Sequence, residues 1–167
     1  MAHPFDVRGE QVVNAPPEQV WEALSSGAAM DGWWMGENEL EPRLGGALRT
    51  TLPGFTMEST VTTWDPPHRF VDVQLKGPYR LWHHEHRFIA EGNGTRILDE
   101  VRYELPFGVL GSLAHRFKVK RDVESIFAFR QQAVEGFFGS APNSLLRRTC
   151  RSRHHEFVLP DLRLHGD

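Results

Sequence analysis

From Ala47 to Leu105 the chain is a succession of five β-rich stretches whose breaks are too short to hold a helix. The stretches are Ala47–Leu52, Met57–Trp64, Arg69–Lys76, Leu81–Ala90 and Thr95–Leu105, each rich in β-branched and aromatic residues. Between them lie Pro53-Gly54, Asp65-Pro66-Pro67, Gly77-Pro78 and Glu91-Gly92-Asn93-Gly94, all of them turn formers. Parallel neighbours would need crossover connections of a dozen residues or more. The pattern therefore predicts an antiparallel meander in which each strand pairs with the next. Phe5–Val13 and a shorter segment at Glu39–Pro42 bring the count to six or seven strands.

Helical texture flanks this block. Pro16-Pro17 opens a stretch that puts Val20, Trp21 and Leu24 on one face, and Gly27 stops it. A second short helix is expected over Ala28–Met35, carrying Trp33 and Trp34 as a lid over an interior or as ordinary core. After Pro106 a long helix begins between Val109 and Ser112 and ends near Gly139. Val119, Val123, Ile126, Phe127, Val134, Phe137 and Phe138 form its apolar stripe. At 1.5 Å per residue it runs roughly 40 Å, enough to cross a small sheet. With 167 residues the chain suits one α+β domain, read as residues 1–139, followed by a partly irregular tail at 140–167 with a doubtful strand at Glu156–Leu159.

Several classes of function are disfavoured. A net charge of −3 gives little attraction for nucleic acid. Five arginines of the tail stand against three acids, a mild bias. No apolar run is long enough for stable membrane insertion and the first residues do not read as a signal peptide, so a cytoplasmic location is expected. The lone Cys150 receives no catalytic role. No serine nucleophile elbow, phosphate-cradling glycine loop, dinucleotide fingerprint or HExxH is present, so nothing in the sequence argues positively for an enzyme.

The order of elements, with Gly77-Pro78-Tyr79, the run Trp82 to Phe88, Gly94-Thr95, Asp99, Val101, Tyr103, Leu105-Pro106-Phe107-Gly108 and Ile126 to Arg130, resembles the START-like superfamily of polyketide cyclase/dehydrase and lipid-transport proteins. The resemblance covers about residues 3–138. It implies the helix-grip fold, a curved antiparallel sheet wrapped around the C-terminal helix, with a cavity for lipids, sterols, quinones or polyketides. It does not decide between carrier, enzyme and binding module.

The histidines of the fourth stretch carry the candidate chemistry. Alternation puts Trp82, His84, His86 and Phe88 on one face and His83, Glu85 and Arg87 on the other, and the aromatics mark the first set as inward. A four-residue hairpin pairing Ala90 with Thr95 sets Phe88 opposite Ile97, His86 opposite Asp99, His84 opposite Val101 and Trp82 opposite Tyr103. A slip of one residue would undo this arrangement. His86 and Asp99 then form an inward polar pair whose reading stays open: a self-satisfied structural pair, a ligand anchor, or an acid–base pair. His84-x-His86 with a carboxylate across the hairpin is also a metal-like pattern. Two histidines at this spacing are of low specificity, and no metal or other cofactor is assigned. Arg130 interrupts the helix stripe. It is read first as snorkelling to solvent, and otherwise as pairing with Asp99 or with an anionic ligand group.

The leading expectation is a protein that binds a small hydrophobic molecule. Trp82, Phe88, Val101, Tyr103 and Phe127 are its candidate walls, and His84, His86, Asp99 and Arg130 its candidate polar anchors. The alternatives are a cyclase or dehydratase using His86 and Asp99, and a regulatory module that contacts an unknown protein partner.

Overall fold

A computed structural model describes residues 5–26, 36–52, 54–106 and 108–139, with the backbone alone for 108–118. In chain order the elements are β1 (Phe5–Val13), α1 (Pro17–Ser25), β2 (Glu37–Leu40), β3 (Ala47–Leu52), β4 (Phe55–Asp65), β5 (Arg69–Lys76), β6 (Leu81–Glu91), β7 (Gly94–Glu104) and α2 (Gly108–Phe138). The seven strands form one antiparallel sheet in the order β1-β7-β6-β5-β4-β3-β2. Consecutive pairing from β2 to β7 is the expected meander, closed by the return of β1 to the side of β7. The expected strand at Glu39–Pro42 lies two residues earlier, at Glu37–Leu40. The expected helix over Ala28–Met35, with Trp33 and Trp34, and the tail from residue 140 lie outside the described residues.

Two register shifts in the β4–β5 ladder each leave one extra residue, Leu75 of β5 at Glu58/Ser59 and Thr62 of β4 at Val61/Thr63. Such bulges bend a strand and increase its twist. The outer face of the sheet is lined with ion pairs, including Arg8–Glu100, Arg102–Asp6, Arg69–Glu85 and Arg96–Glu10. The apolar sets of all the strands must therefore face inward.

The buried stripe of α2 is narrower than the sequence suggests. Val123, Phe127, Arg130 and Val134 are buried, whereas Phe129 and Phe137 are exposed. The 4-3-4 spacing of the buried set keeps these four on one line along the helix. Gly9 of β1 lets this line come close, since a Cβ at that position would stand 2.9 Å from Cδ1 of Phe127. Gln131 Nε2 donates to the Glu10 carbonyl at 3.2 Å and fixes the same approach.

Under α2 the interior is layered. At one end Val13, Val20, Leu24, Phe70, Phe88, Ile97 and Val134 form a core, with Trp21 and Trp64 packed against it. At the other end Val7, Met57, Trp82, Val101, Tyr103, Val123 and Phe127 form a second core, flanked by Phe5, Phe55 and Tyr79. The charged and imidazole side chains of the interior lie between the two.

Candidate functional site

The β6–β7 register is the one the hairpin predicts: Trp82 is paired with Tyr103, His84 with Val101, His86 with Asp99 and Phe88 with Ile97. All eight face inward and all are buried. His86 Nδ1 lies 2.7 Å from Asp99 Oδ1. Since the carboxylate only accepts, the imidazole donates through Nδ1, and in the neutral ring this leaves the lone pair on Nε2. Arg130 reaches the same carboxylate oxygen from α2 and forms an ion pair with it. It is 5% exposed, so it pairs within the interior and does not snorkel.

Burial pushes the Asp99 carboxyl upward, but Arg130, the hydrogen bond from His86 and the nearby His84 outweigh it and hold the group ionised, well below the usual carboxylate range. His84 has the opposite fate. Burial first, then His86 and Arg130, push its imidazole well below its ordinary value against the pull of Asp99. It is therefore neutral at physiological pH.

The sequence reading missed Asp72. On β5 it is paired with His84, with Phe70 beside it paired with His86. Its Oδ2 stands 3.8 Å from His84 Nδ1 and 3.7 Å from His86 Nε2. The residue is 1% exposed, and neither carboxylate oxygen has a hydrogen-bond partner among the described residues. A signal for it was present in Phe70-Val71-Asp72-Val73, an acid set in an apolar strand at the parity of Phe70. It shares the interior with His84 only through the β5–β6 register, which the sequence reading did not derive.

Toward the aromatic end, Tyr79 from the β5–β6 connection packs on Trp82 and Tyr103, at ring centroid distances of 4.7 and 5.7 Å. Gln74 Nε2 donates to the Tyr79 carbonyl at 2.6 Å and holds this turn over the wall. Trp82 Nε1, Ser59 Oγ and Gln74 Oε1 are buried and have no hydrogen-bond partner among the described residues. Ser59 and Gln74 are paired across β4 and β5, so their side chains are neighbours. A separate open groove of about 440 Å3, lined by Asp65, His68, Arg69, Arg87, Phe88, Ile89 and Ala90, lies on the rim and includes none of the buried polar groups.

Burial, together with the negative charge of neighbouring groups, pushes the Tyr79 phenol up to about 12 and also raises Tyr103. These are the only two tyrosines in the chain. Absorbance titration of the native protein is therefore expected to show no tyrosinate near the ordinary value of about 10. Between the unfolded value and about 12 the folded state keeps protons that the unfolded chain has lost, so stability falls as pH rises through that window. Tyrosinate formation near pH 10 with the fold intact would place both rings in water.

The model of the polyketide cyclase/dehydrase and lipid transport family matches residues 4–133. The chain belongs to this family. Solved structures agree on the fold. CalU16 from Micromonospora echinospora is 20% identical with a TM-score of 0.58, over 83% of this chain and 77% of that one. A protein of Rhodobacter sphaeroides is 21% identical with a TM-score of 0.61, over 79% and 91%. Ara h 8.0201 is 15% identical with a TM-score of 0.57, over 81% and 98%. No curated protein matches significantly. The family and fold expected from the sequence are those found, and no described helix is long and apolar enough to cross a membrane.

Proposed function

We propose that this member of the family binds a small, largely apolar molecule carrying polar groups, held between the inner face of the sheet and α2. The carrying observation is a mismatch at the aromatic end. The walls there are Trp82, Val101, Tyr103 and Phe127, yet Trp82 Nε1 in this cluster and Ser59 Oγ on β4 are buried without a hydrogen-bond partner among the described residues. A native interior seldom leaves such groups unmet, because each costs about 1–3 kcal/mol. An apolar ligand with one or two acceptors fits both the walls and the unmet donors. His84, His86, Asp99 and Arg130 form the polar boundary against which such a molecule is oriented, and Phe88, on the far side of that boundary, supports it from the packed core.

Thermal shift with a fatty acid, a long-chain quinone and an aromatic polyketide tests the reading. One of these classes is expected to stabilise the protein by about 2.7 kcal/mol at a hundredfold excess over its Kd. Trp82→Phe, which keeps the wall and deletes the donor, is expected to weaken that ligand by about 0.5–1.5 kcal/mol. The proposal fails if none of the three classes raises Tm.

A second reading, acid–base catalysis of the cyclase or dehydratase kind, is favoured by the 2.7 Å His86–Asp99 bond, which orients an imidazole with a free Nε2 lone pair. It requires His86→Ala to abolish turnover while binding survives.

A further inference from the structure

We infer that Asp72, His84 and His86 form a binding site for one divalent transition-metal ion of the zinc or ferrous class. The inference stands whether or not an apolar molecule occupies the aromatic end.

Three observations carry it. First, the donor atoms converge: one ligand atom from each of the three buried residues lies within 4.8 Å of the other two. With metal–ligand bonds of about 2.1 Å, donors of a tetrahedral site stand about 3.4 Å apart. The 3.7 and 3.8 Å separations of Asp72 Oδ2 from the two imidazoles need to close by only a few tenths of an ångström. Second, the carboxylate of Asp72 is buried with no hydrogen bond to either oxygen among the described residues, although a buried charge needs a paired partner. A cation between Asp72 and the imidazoles supplies that partner. Arg130 is engaged with Asp99.

Third, the surroundings are those of a supported ligand. His86 donates its Nδ1 proton to Asp99, itself anchored by Arg130, so Nε2 is presented toward Asp72 with its tautomer fixed. A carboxylate behind a histidine is the usual outer support of a metal-bound imidazole. The stacking of Phe70 on the His86 ring, at a centroid distance of 4.0 Å, restrains its rotation. Two imidazoles and one carboxylate leave coordination positions open, and this donor set suits zinc or ferrous iron rather than calcium or magnesium. An oxygen of a bound molecule would complete the shell. The metal would also take the Nε2 lone pair that acid–base catalysis by His86 requires.

The test uses the full chain, stripped with a chelator and titrated with cobalt(II), then with zinc(II) in competition. One equivalent of cobalt with visible ligand-field bands, displaced by zinc, is expected. Asp72→Asn, which preserves shape, should weaken zinc at least tenfold, and Asp99→Asn about 10–100-fold through the orientation of His86. His83→Ala, on the outer face of the same strand, should change nothing. Nitrogen NMR of the imidazoles in the wild-type chain gives a readout independent of variant folding, with zinc expected to move two of the nine histidines. The inference is overturned by absence of uptake, by unaltered affinity in a folded Asp72→Asn protein, or by uptake that disappears only when His154 and His155 of the tail are replaced.

Discussion

Arg130→Met is expected to cost about 3–5 kcal/mol of folding stability, the usual penalty for removing one partner of a buried ion pair. The substitution retains much of the stem and deletes the charge. Asp99 would then sit in the interior with the hydrogen bond from His86 at 2.7 Å and His84 at 3.8 Å in place of a fixed cation. Arg130 is also what holds the Asp99 carboxylate ionised against its own burial, so the variant should take up a proton there or loosen α2 from the sheet. Against a total of about 5–15 kcal/mol for a domain, this is a large fraction. The double variant Arg130→Met/Asp99→Leu removes both charges and should recover most of the loss, because two apolar side chains of similar volume replace the pair. Urea denaturation measures each step. A single variant that costs less than about 1 kcal/mol, or a double variant no more stable than the single, would show that the pair does not hold α2 to the sheet.

Phe70→Ala is expected to cost a similar amount, about 3–5 kcal/mol, for a different reason. The ring is 1% exposed and sits where the packed end meets the polar layer. It stacks on His86 on one side and contacts Trp21, Trp64 and Phe88 on the other, at centroid distances of 5.8, 5.8 and 6.3 Å. Truncation leaves a cavity that these large rings cannot collapse to fill. Phe70→Leu keeps most of the volume and should cost clearly less, the remainder reporting the aromatic contacts, worth about 0.5–1.5 kcal/mol each beyond area. The Ala variant should also weaken any ligand or metal that depends on the His86 ring, because the ring loses its backing. Equal losses for Leu and Ala in denaturation would mean that stacking, and not volume, sets the contribution of Phe70.

The two substitutions act on opposite sides of one layer. Phe70 and the residues packed with it make a solid floor, Arg130 and Asp99 clamp the helix above it, and the aromatic walls lie beyond. The fold thereby separates the packed core from the end where binding is proposed. The end near α1 is closed by large interlocked rings, while the end near Tyr79 and Trp82 holds buried polar atoms without hydrogen-bond partners among the described residues.

The sequence by itself determined most of the described elements and one hairpin. Period-two alternation in β6 and β7, with a short turn between them, is enough to place His86 opposite Asp99, because parity and turn length together leave one register. The long helix was legible for the same local reason, a run of apolar residues at three- and four-residue spacing. What only the tertiary structure decided are relations between elements distant in sequence. Asp72 joins the histidines through the β5–β6 pairing, where Gly77 to Arg80 form a connection whose geometry its residues do not specify uniquely. Arg130 turns inward because the charge of Asp99 is waiting beneath α2, which a helix read alone cannot show. The physical reason is common to both: local periodicity fixes which way a side chain points, but whether a buried charge is tolerated depends on the partner that packing brings to it.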